Sequence, residues 1–305
     1  MVWICILLVL LILFALIIFF CFKIAFLRDD RVQLTRLDVG PLAKYKGVFL
    51  ESFEYIDSLP FERVYTESFD GLKLAGSYYN NDNSNTTILL FHGYRSEGRF
   101  DFSCAVRFYV ELGLNVFIAD QRAHGESEGK IISFGIKERK DVASWVDFLL
   151  NKYGQKSIFL SGVSMGATTV MMASNLDLPK NVKGIIADCG FTSAADIIKK
   201  VAKQSFKINA TFIMPFLDIM CKIFGKFSIY EITTVKALGE SDIPIFFIHG
   251  KADGFVPCEM TNLSYNAARA KKSICLVEGA DHGLSFLIDQ TNIQNQVSDF
   301  IKTCS

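Results

Sequence analysis

Ser157-Ile158-Phe159-Leu160-Ser161-Gly162-Val163-Ser164-Met165-Gly166 is the stretch whose reading decides the fold. An apolar run of strand length ends in Gly-x-Ser-x-Gly, and a helix-like stretch over 165–175 follows it. In that context the two glycines let the backbone turn sharply where a Cβ would clash. The serine is held at the tip of the turn with its hydroxyl exposed. The pentapeptide alone is a weak signal, because Gly and Ser are common residues. Its meaning depends on whether the rest of the chain supplies a base, an acid and backbone donors in a workable order.

Outward from this turn, apolar strand patterns alternate with amphipathic helix patterns. Strands are expected at 87–91, 115–119, 157–160, 182–187, 244–248 and 273–277, and helices at 101–112, 136–152, 165–175, 259–270 and 293–301. Such alternation predicts an α/β fold with a mostly parallel sheet covered by helices on both faces. Asp70-Gly71, between the runs 63–69 and 72–78, is a strong hairpin signal. The interval 191–242 is too long for a simple crossover and predicts a helical cap insertion. Its Phe, Ile and Met content suits either a pocket lining or a lipid contact.

The chain has 305 residues, half of them apolar, with 32 basic and 32 acidic side chains. Zero net charge gives no basic footprint for nucleic acid. The eight cysteines lack CxxC spacing, so neither a zinc site nor a disulfide framework is legible, and no metal or cofactor is expected. Residues 2–22 carry no charge and are long enough for one transmembrane helix. No basic segment precedes this run and no A-x-A-like site follows it, which disfavours a cleaved signal peptide. Lys23, Arg28 and Arg31 follow the segment and place the bulk of the chain on the cytoplasmic side of a single-pass topology. The expected organisation is an anchor at 1–22, a stalk at 23–60 with one short helix packing on the domain, and a domain at 61–305. A piece beginning near Lys44 is expected to be soluble and active without the anchor.

Serine needs a base, and the chain offers only His92, His124, His249 and His282. His282, in Gly279-Ala280-Asp281-His282-Gly283, lies between the last strand and the last helix, from where it can reach Ser164 over the sheet edge. Asp253 directly follows a strand and is the expected partner of that imidazole; Asp281 adjoins His282 and is expected to point elsewhere. The expected oxyanion donors are the backbone amides of Met165, after the nucleophile, and Tyr94, in the loop after strand 87–91. His92 is expected to be structural, and Asp120 to Ser127 a polar loop bracing the site.

These residues together resemble the α/β-hydrolase superfamily: His92-Gly93, Asp120 to Gly125, Gly162 to Gly166, Asp253 and Gly279 to Gly283. The resemblance covers roughly four-fifths of the chain, 63–305, and looks closest to the BEM46-like or serine-aminopeptidase-like branch with an N-terminal membrane segment. It implies an α/β-hydrolase fold and a serine hydrolase with the triad Ser164, Asp253 and His282, working through an acyl-enzyme on a small-molecule ester or acyl substrate. His-Gly-Tyr-Arg stands where many lipases carry His-Gly-Gly-Gly, so a lipase substrate does not carry over, and Ser164 stands where dehalogenases carry aspartate. Two other readings compete: a peptidase on short peptides, and a non-catalytic binding protein on the same fold.

Overall fold

A computed structural model describes residues 2–29, 37–38, 40–82 and 84–305. Arg31, one of the three charges read above for orientation, lies outside the described residues. Eight strands form one sheet: β1 (Glu62–Glu67), β2 (Lys73–Tyr79), β3 (Thr86–Phe91), β4 (Asn115–Ala119), β5 (Ser157–Val163), β6 (Val182–Asp188), β7 (Ile245–Gly250) and β8 (Lys272–Val277). Their spatial order is β1-β2-β4-β3-β5-β6-β7-β8. Only β1–β2 and β2–β4 pair antiparallel; every other neighbouring pair is parallel.

Burial of both sheet faces explains the near-continuous apolar strands. Successive strand residues point to opposite faces. Leu89, Phe91, Phe117, Leu160 and Phe247 pack on one side with Trp145 and Val146 of α4 (Glu138–Tyr153) and Val170 of α5 (Met165–Ala173). Ile88, Leu90, Ile118, Phe159 and Phe246 pack on the other with Val106 of α3 (Gly98–Glu111) and Val297 of the final helix, Gln290–Cys304. The parallel sheet, the two helical layers and the hairpin at Asp70-Gly71 are as the sequence predicts.

The N-terminal third departs from a simple tether. Helix α1 (Val2–Phe26) continues four residues past the expected end of the apolar segment. Its stripe Phe14, Ile18, Phe22 and Phe26 packs into an apolar cluster with Phe134 and with Met214, Leu217 and Phe227 of the cap. Spacings of four residues put these side chains on one helix face. The chain then pairs with 130–132: Ile132 N donates to Phe26 O at 2.7 Å and Arg28 N to Lys130 O at 2.9 Å. Further on, α2 (Lys46–Ser58) presents Phe49 and Phe53 to Phe100 of α3, the Phe49 and Phe100 rings stacked 5.1 Å apart. A helix packed on α3 thus lies in the segment that the sequence reads as a stalk.

The interval after β6 holds α6 (Ala194–Phe206), α7 (Met214–Met220), a wider π-helical turn at Cys221–Gly225, and α8 (Thr234–Glu240). Ser193 caps α6 by accepting from Asp196 N at 3.1 Å, and Thr233 caps α8 from Lys236 N at 3.1 Å, each satisfying an otherwise orphaned helix amide. Within the interval that the sequence reads as a cap, called the cap here, α7 packs against α1, whereas α8 packs back against α5.

Candidate active site

The turn after β5 has the strained geometry that its sequence anticipates. Ser164 has φ 55° and ψ −115°, a conformation costing about 1–3 kcal/mol for a residue with a Cβ. Both flanking glycines are needed for close approach: a Cβ on Gly162 would overlap the Gly166 backbone, and one on Gly166 would overlap the Phe91 carbonyl. The serine is thereby lifted from the sheet edge at the N-terminus of α5.

Three side chains from three separate loops converge there. His282 Nε2 lies 3.0 Å from Ser164 Oγ, and His282 Nδ1 lies 2.7 Å from Asp253 Oδ2. The other oxygen of Asp253 accepts from the amides of Phe255 and Val256, both at 2.8 Å. Burial alone would raise the Asp253 carboxyl. Hydrogen bonds from His249 and His282 and the Val256 amide outweigh it and hold the group well below the ordinary carboxylate range. Asp281 is turned to the backbone, its Oδ1 accepting from the Gly254 and His282 amides at 3.0 and 2.8 Å. The amides of Tyr94 and Met165 have no hydrogen-bond acceptor among the described residues.

The loops beside the serine are cross-braced. His92 Nε2 accepts from Gln121 N at 3.1 Å, and His124 Nε2 accepts from Arg95 N at 2.9 Å. Burial and the neighbouring His92 push His124 down to about 3, so it stays neutral and keeps that acceptor. Arg122 is buried and bonds both oxygens of buried Asp141 at 2.6 Å, with a second pair to Asp70. Arg122→Ala leaves Asp141 buried without its partner and is expected to cost about 3–5 kcal/mol, read as a lower urea midpoint. An unchanged midpoint would remove this network from the fold's supports.

Four further contributions shape the site: the sequence reads Asp188 and Cys189 only as part of a pocket rim, and does not give the parts played by His249 and the end of α1. His249 lies on β7 with Nε2 3.2 Å from Asp253 Oδ2, so two histidines share one carboxylate. The four-residue spacing across a strand-end turn was the available signal. Asp188, at the end of β6, is buried with Oδ1 unpaired among the described residues. Burial pushes it up to about 6, against the favourable fields of His249 and His282. A carboxyl raised in the fold binds its proton more tightly folded than unfolded. Its contribution is therefore full below about pH 4 and is lost as pH rises through about 6. The stability difference between Asp188→Asn and wild type should accordingly move in the variant's favour by about 2 kcal/mol between pH 4 and pH 8. Urea titrations at both pH values test this, and a pH-independent difference would sink it.

Cys189 and the end of α1 are the other two. Cys189, Asp253 and His282 have donor atoms within 4.8 Å of one another, the one such group among the described residues. The carboxylate and imidazole are already bonded to each other, and burial drives the Cys189 thiol well above its ordinary value, so an ion here would have to break that pair. Tyr94 stacks on Phe134 at 5.1 Å, and its hydroxyl donates to Ala25 O at 2.9 Å. The Arg95 guanidinium donates to Ile24 O and Leu27 O, both at 2.8 Å. Terminal helix carbonyls lack intrahelical donors, and a cation suits the negative end of the helix dipole. The loop carrying the Tyr94 amide is thus fastened to the last turn of α1.

Comparison with known proteins agrees with this architecture. Residues 86–213 match the family model for the alpha/beta hydrolase fold. An esterase from Pyrococcus furiosus, Pf2001, superposes with a TM-score of 0.66 at 24% identity, covering 81% of this chain and 94% of that one. The chain therefore has the α/β-hydrolase fold. Among its curated relatives are BEM46-like proteins. It is 26% identical to protein bem46 of Schizosaccharomyces pombe, over 66% of this chain and 63% of that protein. It is also 25% identical to the membrane protein YNL320W of Saccharomyces cerevisiae, over 74% and 78% of the two chains.

Proposed function

We propose that this protein is a membrane-anchored serine hydrolase that cleaves carboxylic esters through an acyl-enzyme. The observation carrying the reading is the unbroken line from Ser164 Oγ through His282 to Asp253, at 3.0 and 2.7 Å. Ser164 Oγ attacks the acyl carbon while His282 Nε2 takes its proton, and the carbonyl electron pair becomes an oxyanion facing the amides of Tyr94 and Met165. Collapse of this intermediate expels the alcohol, which takes the proton from His282. Water then attacks the acyl-enzyme with His282 again as base, releasing the acid and restoring the serine. Asp253 fixes the tautomer and stabilises the imidazolium throughout.

The ester assignment draws on the Pyrococcus furiosus esterase, whose fold this chain shares. The anchor assignment draws on α1, apolar and long enough to cross a bilayer, and on the yeast relative described as a membrane protein. Lys23 in the last turn of α1, with Arg28 and Arg31 beyond it in the sequence, favours the cytoplasmic face for the domain.

The test is labelling of the detergent-purified full chain with a fluorophosphonate, wild type beside Ser164→Ala. Labelling of wild type alone supports the reading, and p-nitrophenyl esters of increasing chain length then define the acyl preference against aminoacyl amides. A folded wild type that does not label would overturn it in favour of a binding protein.

A further inference from the structure

We propose that the outward stripe of the cap lies in the acyl layer of the same bilayer that α1 enters. The protein would then meet lipid through two adjoining elements rather than one helix. This rests on the membrane reading of α1 given above.

Phe212, Ile219, Ile223 and Phe224 are 72, 50, 62 and 53% exposed. Ile219 and Ile223 lie four residues apart on one continuous helical stretch, α7 and the π turn after it. A contiguous exposed surface of such side chains is uncommon on a protein that meets only water. The stripe does not stand alone. Phe14 of α1 packs on Phe212 and Phe216 at 6.3 and 4.9 Å between ring centroids, and Phe19 and Phe22 pack on Phe224 at 6.4 and 5.7 Å. The two helices therefore run side by side in the same sense, with their uncovered faces adjoining.

Length then fixes the occupant. Within helix α1 as described, residues 2–13 lie ahead of the first contact with the cap, about 18 Å of helix. A hydrocarbon core is about 30 Å thick. For α1 to cross it, the part of α1 that carries Phe14 to Phe22 must also lie within the core, and its cap partners go with it. Lys207, Lys222 and Lys226 are exposed around the stripe, with aliphatic stems long enough to reach headgroups. Lys222 is paired with Asp218 at 2.6 Å, which reduces the cost of an interfacial position. Inward from the stripe, the apolar cluster continues without a break to Tyr94 and Met165.

The chain's two tryptophans make the test direct. Trp3 is exposed on α1 and Trp145 is buried in the core. Full-length protein is reconstituted into phosphatidylcholine vesicles with plain or brominated acyl chains. Wild type reports on α1; W3F carrying F212W, and separately W3F carrying I223W, report on the cap. The expected result is roughly twofold or greater quenching by bromine at both cap positions relative to W3F alone, with little quenching by aqueous iodide.

Three outcomes would overturn the proposal, and they differ. Bromine quenching of Trp3 with iodide quenching at 212 and 223 leaves α1 in the membrane and the cap in water. Protection of 212 and 223 from both quenchers means that another protein copy covers the stripe. No bromine quenching at Trp3 removes the membrane reading of α1 itself, and the cap proposal with it.

Discussion

Ser164→Ala is expected to lower kcat on an ester substrate by about 10⁵- to 10⁶-fold while leaving KM within a few-fold. Ser164 Oγ is the oxygen within 3.0 Å of His282 Nε2, and the turn's strain exists to present it. Alanine keeps the Cβ and hence the backbone geometry, so the fold, the two facing amides and substrate contacts remain. Residual turnover above the water reaction would come from oxyanion stabilisation alone. The check is hydrolysis of a p-nitrophenyl ester beside near-UV circular dichroism of both proteins. Activity within tenfold of wild type would mean that the nucleophile lies elsewhere.

Asp253→Asn should cost about 10⁴-fold in kcat, whereas Asp281→Asn should stay within about tenfold. Asp253 Oδ2 receives two imidazoles, at 2.7 Å from His282 and 3.2 Å from His249. An amide there offers a donor in place of one acceptor and favours the tautomer in which Nε2 carries the proton, useless as a base toward Ser164. Asp281 uses one oxygen to accept two backbone amides, and the carbonyl oxygen of asparagine can do the same. Steady-state kinetics of both variants decide between them. The opposite ranking would transfer the acid's role to Asp281.

The sheet was legible because its strands are buried on both faces and so read as unbroken apolar runs, as in Thr86–Phe91 and Ile245–Gly250. The turn was legible because close approach at Gly162 and Gly166 admits only glycine. Ser164, His282 and Asp253 each follow a strand, and loops at one sheet edge converge by topology. What stayed hidden depends on contacts between distant segments. The stripe Phe14-Ile18-Phe22-Phe26 lies inside a helix that is apolar all round, so periodicity carries no information there. His249 was visible as a histidine, but its bond to Asp253 requires the turn between them to be known. Asp188 reads as part of a pocket rim, and its burial is evident only once the fold encloses it.

The bonds from Tyr94 and Arg95 to the carbonyls of Ile24, Ala25 and Leu27 set where a working enzyme can begin. A chain trimmed to start near Lys44 would express without its greasy segment, yet it would surrender the latch on the loop that carries the Tyr94 amide and uncover Phe134 and Phe227. It is therefore expected to turn over far more slowly than the whole protein in detergent, and equal rates would show the latch to be dispensable. The better route to a water-soluble enzyme is to keep residues 14–28 and recolour the outward face of that stretch with polar side chains. On this prediction, and against the sequence-based expectation of an active piece from Lys44, the smallest active piece starts inside the hydrophobic helix, not after it.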